Sequence, residues 1–270
     1  VKASLIIAFY KKIEYLRLVL AGVKIQTEKS FEVVLADDGT EPEMFDEIQS
    51  LLKQLSVPAV HIWQEDKGFR KNRVLNKAVK NSSGEYLIFI DGDCVPHSHF
   101  VEEHLRYAEK GTVLTGRRVN LSERITKRLT PEKIENHYLE KNPLMLIADG
   151  VFGKTTDVEK GFYFRSKFLR KFINRKKRGL LGCNFSLYKE DLLEINGFDE
   201  RYESPSIGED SDVQFRLELK GTKIKSLNNI AIQYHLYHKP LSRTQRNILL
   251  FEKIKTEKKA KTNFGIRIKY

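Results

Sequence analysis

The sequence is poor in the residues that staple small scaffolds together. Two cysteines occur in 270 residues, Cys94 and Cys183, too few for a disulfide framework or a cysteine-built zinc site. This points to a reducing, cytoplasmic setting. No apolar run approaches the roughly 20 residues that cross a bilayer. No signal-peptide pattern opens the chain, although a start at Val1 is compatible with a trimmed leader. Proline is scarce, at seven residues, and no Pro/Ser-rich linker or internal repeat divides the chain. The sequence therefore predicts a single compact domain with a sizeable core.

Charge of one sign is also locally lacking. The net charge of +12 would on its own suggest a polyanion partner. It is concentrated, however, in residues 154–180, with ten Lys/Arg against two acids, and in 253–270, with seven against one. The remaining body is near neutral, with 31 basic and 33 acidic side chains. A nucleic-acid-binding domain would leave the acidic strand ends described next without a role, so no nucleic-acid partner is expected.

What is present is alternation. "ASLIIAF" (3–9), "FEVVLADDGT" (31–40), "AVHIW" (59–63) and "EYLIFIDGD" (85–93) read as strands. Helical spacing occupies 14–26, 44–55 and 70–82 between them. This order predicts an α/β fold with a mostly parallel, Rossmann-like central sheet and flanking helices. Beyond it, 112–121 reads as one strand, 130–142 as a helix opened by Thr130 and Pro131, and 225–234 as strand-like. Residues 179–202 read as a strand followed by a helix closed at Asn196–Gly197, and 208–221 as an acidic loop entering a helix. Ligands of such sheets bind at the carboxyl ends of the strands. Here those ends are "AFYKK", "ADDGT" and "IDGDC", none with a glycine-rich dinucleotide fingerprint.

Asp91 and Asp93 flank Gly92 at a strand end, where two carboxylates repel unless a cation lies between them. Oxygen donors of this kind suit Mg²⁺ or Mn²⁺; the alternative is a polar turn. Asp38 could accept from a base or ribose, or belong to a helix cap. Glu209 and Asp210 open a helix, where acids are favoured by the dipole, but a general base fits equally. His235 and His238, four residues from end to end, make a mixed Asp/His metal site with the strand-end acids an option. The same Asp pair could also serve a nucleotidyl or phosphoryl transferase, which would leave Glu209, Asp210 and the histidines idle.

Taken in order, these segments resemble the family-2 glycosyltransferases of GT-A fold. "GLLGCNFSLYKEDLLEINGFDERY" and "GEDSDVQFRL" are similar to the acceptor-side half of β-1,4-galactosyltransferases and related bacterial polysaccharide enzymes. The resemblance implies a nucleotide-sugar-binding half (1–120), an acceptor half (121–240) and a basic C-terminal helix or tail (241–270). It implies nucleotide contacts at Ala8, Tyr10, Asp38, Phe69, Arg70, Lys71 and Arg73. The "IDGDC" segment matches the DxD motif, with Asp91, Gly92 and Asp93 at the diphosphate. Metal ligands fall at Asp93 and His238, with His235 the alternative to His238 and Asp91 acting through water, and Gly182 and Cys183 lie beside the donor sugar. Asp210 becomes the catalytic base, with Glu209 beside it. The implied reaction is inverting transfer from a UDP-sugar to a glycan, lipid-linked or free, in surface polysaccharide synthesis, assisted by Mn²⁺ or Mg²⁺. The tryptophan-rich stretch that precedes the acidic pair in the galactosyltransferases is absent.

In "FYFRSKFLRKFINRKKRG", Phe164, Phe168, Leu169, Phe172 and Ile173 share a helical face among Arg165, Lys167, Arg170, Lys171 and Arg175. Such a helix reads either as one packed on the core or as a membrane-surface element. Residues 162–178 and the basic tail, expected to be flexible or peripheral, are thus candidates for contact with an anionic inner membrane face.

Overall fold

The computed structural model describes residues 3–175, 178–205, 209–239 and 244–266, with Glu209 described by its backbone alone. Among the described residues there are ten strands: β1 (Ala3–Phe9), β2 (Phe31–Asp37), β3 (Ala59–Trp63), β4 (Tyr86–Asp91), β5 (Cys94–Pro96), β6 (Thr112–Thr115), β7 (Arg117–Asn120), β8 (Asn184–Tyr188), β9 (Lys223–Ser226) and β10 (Ile232–His235). Seven form a central sheet of order β3-β2-β1-β4-β8-β6-β9, and three a smaller sheet of order β5-β10-β7. The β1–β2, β1–β4, β2–β3 and β6–β9 pairs are parallel, while β8 runs antiparallel to both β4 and β6.

Every residue of β1 is buried, as its unbroken apolar sequence requires for a strand covered on both faces. Its alternate side chains enter two cores. Leu5, Ile7 and Phe9 pack with Leu16, Val19 and Val23 of helix Ile13–Lys24. Ile6 and Ala8 pack with Val74, Leu75 and Ala78 of helix Lys71–Asn81. The parallel register places Ala8 between Ala36 and Asp91, and Phe9 beside Asp37. Three polar strand ends are thereby aligned along one edge.

Several segments depart from the sequence reading. The expected single strand 112–121 is two strands in different sheets, divided at Gly116. A Cβ there would lie 2.4 Å from both the Ala231 carbonyl oxygen and Asn184 Oδ1, so the crossing between sheets demands glycine. The expected helix 130–142 is two, Pro131–Glu135 and Tyr138–Lys141, broken where His137 turns left-handed at φ 61°. The run 225–234 divides between β9 and β10. Asn229 turns left-handed there, and its amide donates to the Glu159 and Phe162 carbonyls. The basic C-terminal segment is not free. Helix Gln245–Glu257 is followed by residues that fold back, with Ile266 in the core beside helix Lys71–Asn81 and Thr262 Oγ1 donating to Asp199 at 2.6 Å. Residues 267–270 lie outside the described residues.

Helix Glu209–Leu219 is fixed by a fully buried pair. Arg216 Nε donates to Asp212 Oδ2 at 2.8 Å and Nη1 to the Ile195 carbonyl at 2.8 Å. Removing one member strands a charge in the interior, which costs about 3–5 kcal/mol. Arg216→Met is expected to lose that much stability in urea denaturation, and adding Asp212→Leu to recover most of it. An unchanged midpoint in the single variant would contradict this role.

Candidate active site

The site begins where β4 ends. Gly92 N–H donates to the Ala8 carbonyl at 2.7 Å, and a Cβ at Gly92 would sit 3.0 Å from that oxygen and 3.1 Å from the Phe9 ring. The close approach turns the chain from β4 into β5 and brings Asp93 to the edge. β10 then pairs antiparallel with β5, setting His235 opposite Cys94, and Leu236 N–H donates to the Asp93 carbonyl at 2.8 Å. This register delivers both histidines to Asp93. Asp93 Oδ2 lies 3.3 Å from His238 Nε2 and 3.6 Å from His235 Nε2, and the two nitrogens are 3.2 Å apart.

The donor set fits a divalent cation. His238 Nδ1 contacts the Lys239 carbonyl at 2.9 Å; a carbonyl only accepts, so the proton sits on Nδ1 and a neutral ring offers its Nε2 lone pair toward Asp93 and His235. With no cation, that nitrogen must be protonated to face a carboxylate, and Asp93 accordingly raises the His238 pKa. Burial pushes Asp93 up, but the two imidazoles outweigh it and hold it well below the usual carboxylate range. The three candidate ligand atoms lie within 4.8 Å of one another, and among the described residues this is the group of His, Cys, Asp and Glu so arranged.

Beside them opens a cavity of about 820 Å³. Its inner wall is Ala8, Phe9, Ala36, Phe69 and Val74, with Asp38 and Tyr10 also lining it. Its lining also carries Lys12, Lys71, Lys127 and Lys239 together with Asp91, Asp93, Glu123 and His238; Lys71 is paired with Asp91 and Lys127 with Glu123. Asp38 is buried, which raises its pKa. It accepts from Gln64 at 2.6 Å and from the Arg70 backbone N–H at 2.8 Å, and so pins the start of helix Lys71–Asn81 to the pocket.

The expected site residues divide as follows. Asp91 does not join the metal-ligand group; its Oδ1 is 2.7 Å from Lys71 Nζ. Of the cluster at 69–73, Phe69 and Lys71 line the cavity, whereas the Arg70 guanidinium turns to the Glu65 carbonyl and Arg73 is not in the lining. Asp210 Oδ2 accepts from Gly182 N–H at 3.2 Å, and Oδ1 from Ser211 N–H at 2.7 Å. Cys183 is buried and takes Arg118 Nη1 at 3.2 Å on its sulfur. The Glu209 side chain and residues 206–208 lie outside the described residues. Sequence reasoning missed Lys12, Tyr15, Glu123, Thr126, Lys127, Tyr237 and Lys239. Tyr237 and Lys239 flank His238 and were within reach of the motif; helix Glu123–Thr126 is one short turn with no periodic signal.

The sequence matches Glycosyl transferase family 2 over residues 4–192, and the pattern described as N-terminal domain of galactosyltransferase over 165–239. Glycosyltransferase GlyA of Streptococcus pneumoniae is 24% identical over 90% of this chain and 32% of its own length. Chondroitin synthase of Pasteurella multocida is 25% identical over 86% of this chain and 24% of its own. The chain spans a third or less of the length of the curated relatives it matches. Among solved structures, GalNAc-T7 with UDP, GalNAc and Mn²⁺ superposes with a TM-score of 0.58 at 14% identity, covering 88% of this chain and 44% of that one. S. aureus TarS 1-349 in complex with UDP gives 0.54 at 17% identity, covering 87% and 60%. A family match spanning most of the chain, on a sheet shared with these structures, places the protein: it belongs to glycosyl transferase family 2 and has the GT-A fold.

Proposed function

We propose that this glycosyltransferase moves a sugar from a UDP-sugar to a hydroxyl of a glycan acceptor with inversion at the anomeric carbon. The observation that carries the reading is the convergence of Asp93, His235 and His238 on one point at the mouth of a nucleotide-sized cavity. UDP in two of the structural neighbours, with Mn²⁺ in one of them, supports the donor class.

In this reading the base and ribose enter between Ala8, Phe69 and Val74, with Asp38 holding the wall in place and Tyr10 at the rim. Asp93 and the two histidines would hold Mn²⁺ or Mg²⁺, which when bound supplies positive charge against the diphosphate. Lys71, paired with Asp91 in the cavity lining, would offer its ammonium to a phosphate oxygen. The acceptor oxygen attacks the anomeric carbon on the face away from the diphosphate. The bond to the phosphate oxygen breaks with its electron pair, and Asp210 takes the hydroxyl proton. Gly182 and Ser211 N–H groups orient that carboxylate for the task.

Calorimetric titration of UDP should therefore show binding that requires Mn²⁺ or Mg²⁺ and disappears in Asp93→Ala. Binding of UDP without any metal, or retained in that variant, would remove the metal site from the donor pocket. Asp210→Asn is expected to keep metal-dependent UDP binding and to lose about 10²–10⁴-fold in transfer, read as UDP release from a panel of UDP-sugars and oligosaccharide acceptors. NMR of the product should report an anomeric configuration opposite to that of the donor.

A further inference from the structure

Helix Lys167–Ile173 is set into the molecule with its polar side inward. At about 100° per residue, Arg170 lies across the helix from Phe168 and Phe172, and Arg170 is the residue the helix buries. Its Nη1 and Nη2 donate to Glu103 Oε2 and Oε1 at 2.9 and 2.7 Å. Its Nε donates to the Phe164 carbonyl, and its guanidinium lies 5.2 Å from the centre of the Tyr163 ring. Glu103 is fully buried. Glu103 also accepts from Arg106 Nη1 at 2.9 Å and from the Tyr163 hydroxyl. Rolling the helix to hide its aromatic face would withdraw Arg170 from this buried network, so the network holds the opposite face outward.

That outward face presents Phe168, Phe172 and Leu169, which are 75%, 58% and 41% exposed. Arg165, Lys167, Lys171 and Arg175 are exposed around them, and the Arg175 guanidinium lies over the Phe172 ring at 5.2 Å. No acid occurs between residues 162 and 178, and the sequence continues Arg175-Lys-Lys-Arg178, where Lys176 and Lys177 lie outside the described residues. Projecting aromatic rings flanked by cations, on a segment that contains no acid, match a surface that is anionic outside and apolar just beneath.

We infer that this face docks the protein on an anionic phospholipid bilayer, with Phe168 and Phe172 inserted among the headgroups and the cations on the phosphates. The inference goes beyond the transfer reaction and stands on this surface alone, whatever the donor proves to be. None of the described helices is long and apolar enough to cross a membrane, so the contact is a surface one.

The test is co-sedimentation of the intact chain with vesicles of phosphatidylcholine alone and of phosphatidylcholine mixed with phosphatidylglycerol. Binding is expected only to the anionic vesicles, and to weaken steeply as salt shortens the range of the charges. Lys167→Gln/Lys171→Gln should weaken partitioning about fivefold for each charge removed. Phe168→Ser/Phe172→Ser should weaken it without changing the thermal melt, since neither ring is buried. Absence of binding to anionic vesicles at low salt overturns the inference. Binding that both double variants leave intact overturns it too. If light scattering instead shows a dimer that the Phe168→Ser/Phe172→Ser variant dissolves, with no vesicle binding, the face belongs to a second copy.

Discussion

The pairing of β10 with β5 is the constraint on which the site depends. Asp93 and His235 are 142 positions apart in sequence, and the ladder that sets His235 opposite Cys94 is what makes them neighbours. Side chains alternate across a strand, so a slip of one residue would turn His235 to the opposite face. The slip is prevented from that opposite face. Tyr234 and Leu236 are buried in the same core as Val119 and Val95, and exposing them would cost more than the polar face could return. Apolar packing on one side of a small sheet thus sets the position of the candidate metal-ligand nitrogens on the other.

The first half of the fold was legible because its strands are short, apolar and unbroken, and because helices separate them at regular intervals. Such patterns have few alternatives. The second half was less so, for specific reasons. Gly116 sits within an unbroken β-like run, and nothing local says that the chain changes sheets there; the requirement comes from Ala231 and Asn184, which are distant in sequence. His137 interrupts a helical pattern through backbone conformation alone. Helix 167–173 shows the limit of periodicity most clearly. The pattern identifies two faces, but the buried two-point pairing of Arg170 with Glu103 decides which of them is inside.

In the site, residue types carried much of the information. A DxD segment at a buried strand end and two histidines three apart could be read as a metal site before any contact was known. The distinction between Asp91 and Asp93 could not. It follows from Lys71, which reaches Asp91 from the first turn of the preceding helix. Likewise the three cations at 70, 71 and 73 look alike in sequence, and the helix start separates them, sending Lys71 to the cavity and the Arg70 side chain back to its own loop.

The antiparallel β8 has a consequence for how such a domain can be cut or recombined. It lies between β4 and β6, with Phe89 stacked on Phe185 at 4.5 Å between ring centres. A division near residue 120 would look natural from the sequence, whose resemblance implies a nucleotide-sugar half before it and an acceptor half after it. Yet a fragment ending there would hold β4 with one flank bare and β6 with no neighbour on either side. The later fragment would contain β8 with nothing to pair against. The segments before and after residue 120 are therefore not interchangeable cassettes in this chain. A chimera built on this chain must keep β8 with its own β4 and β6 and confine the graft to the loops around it.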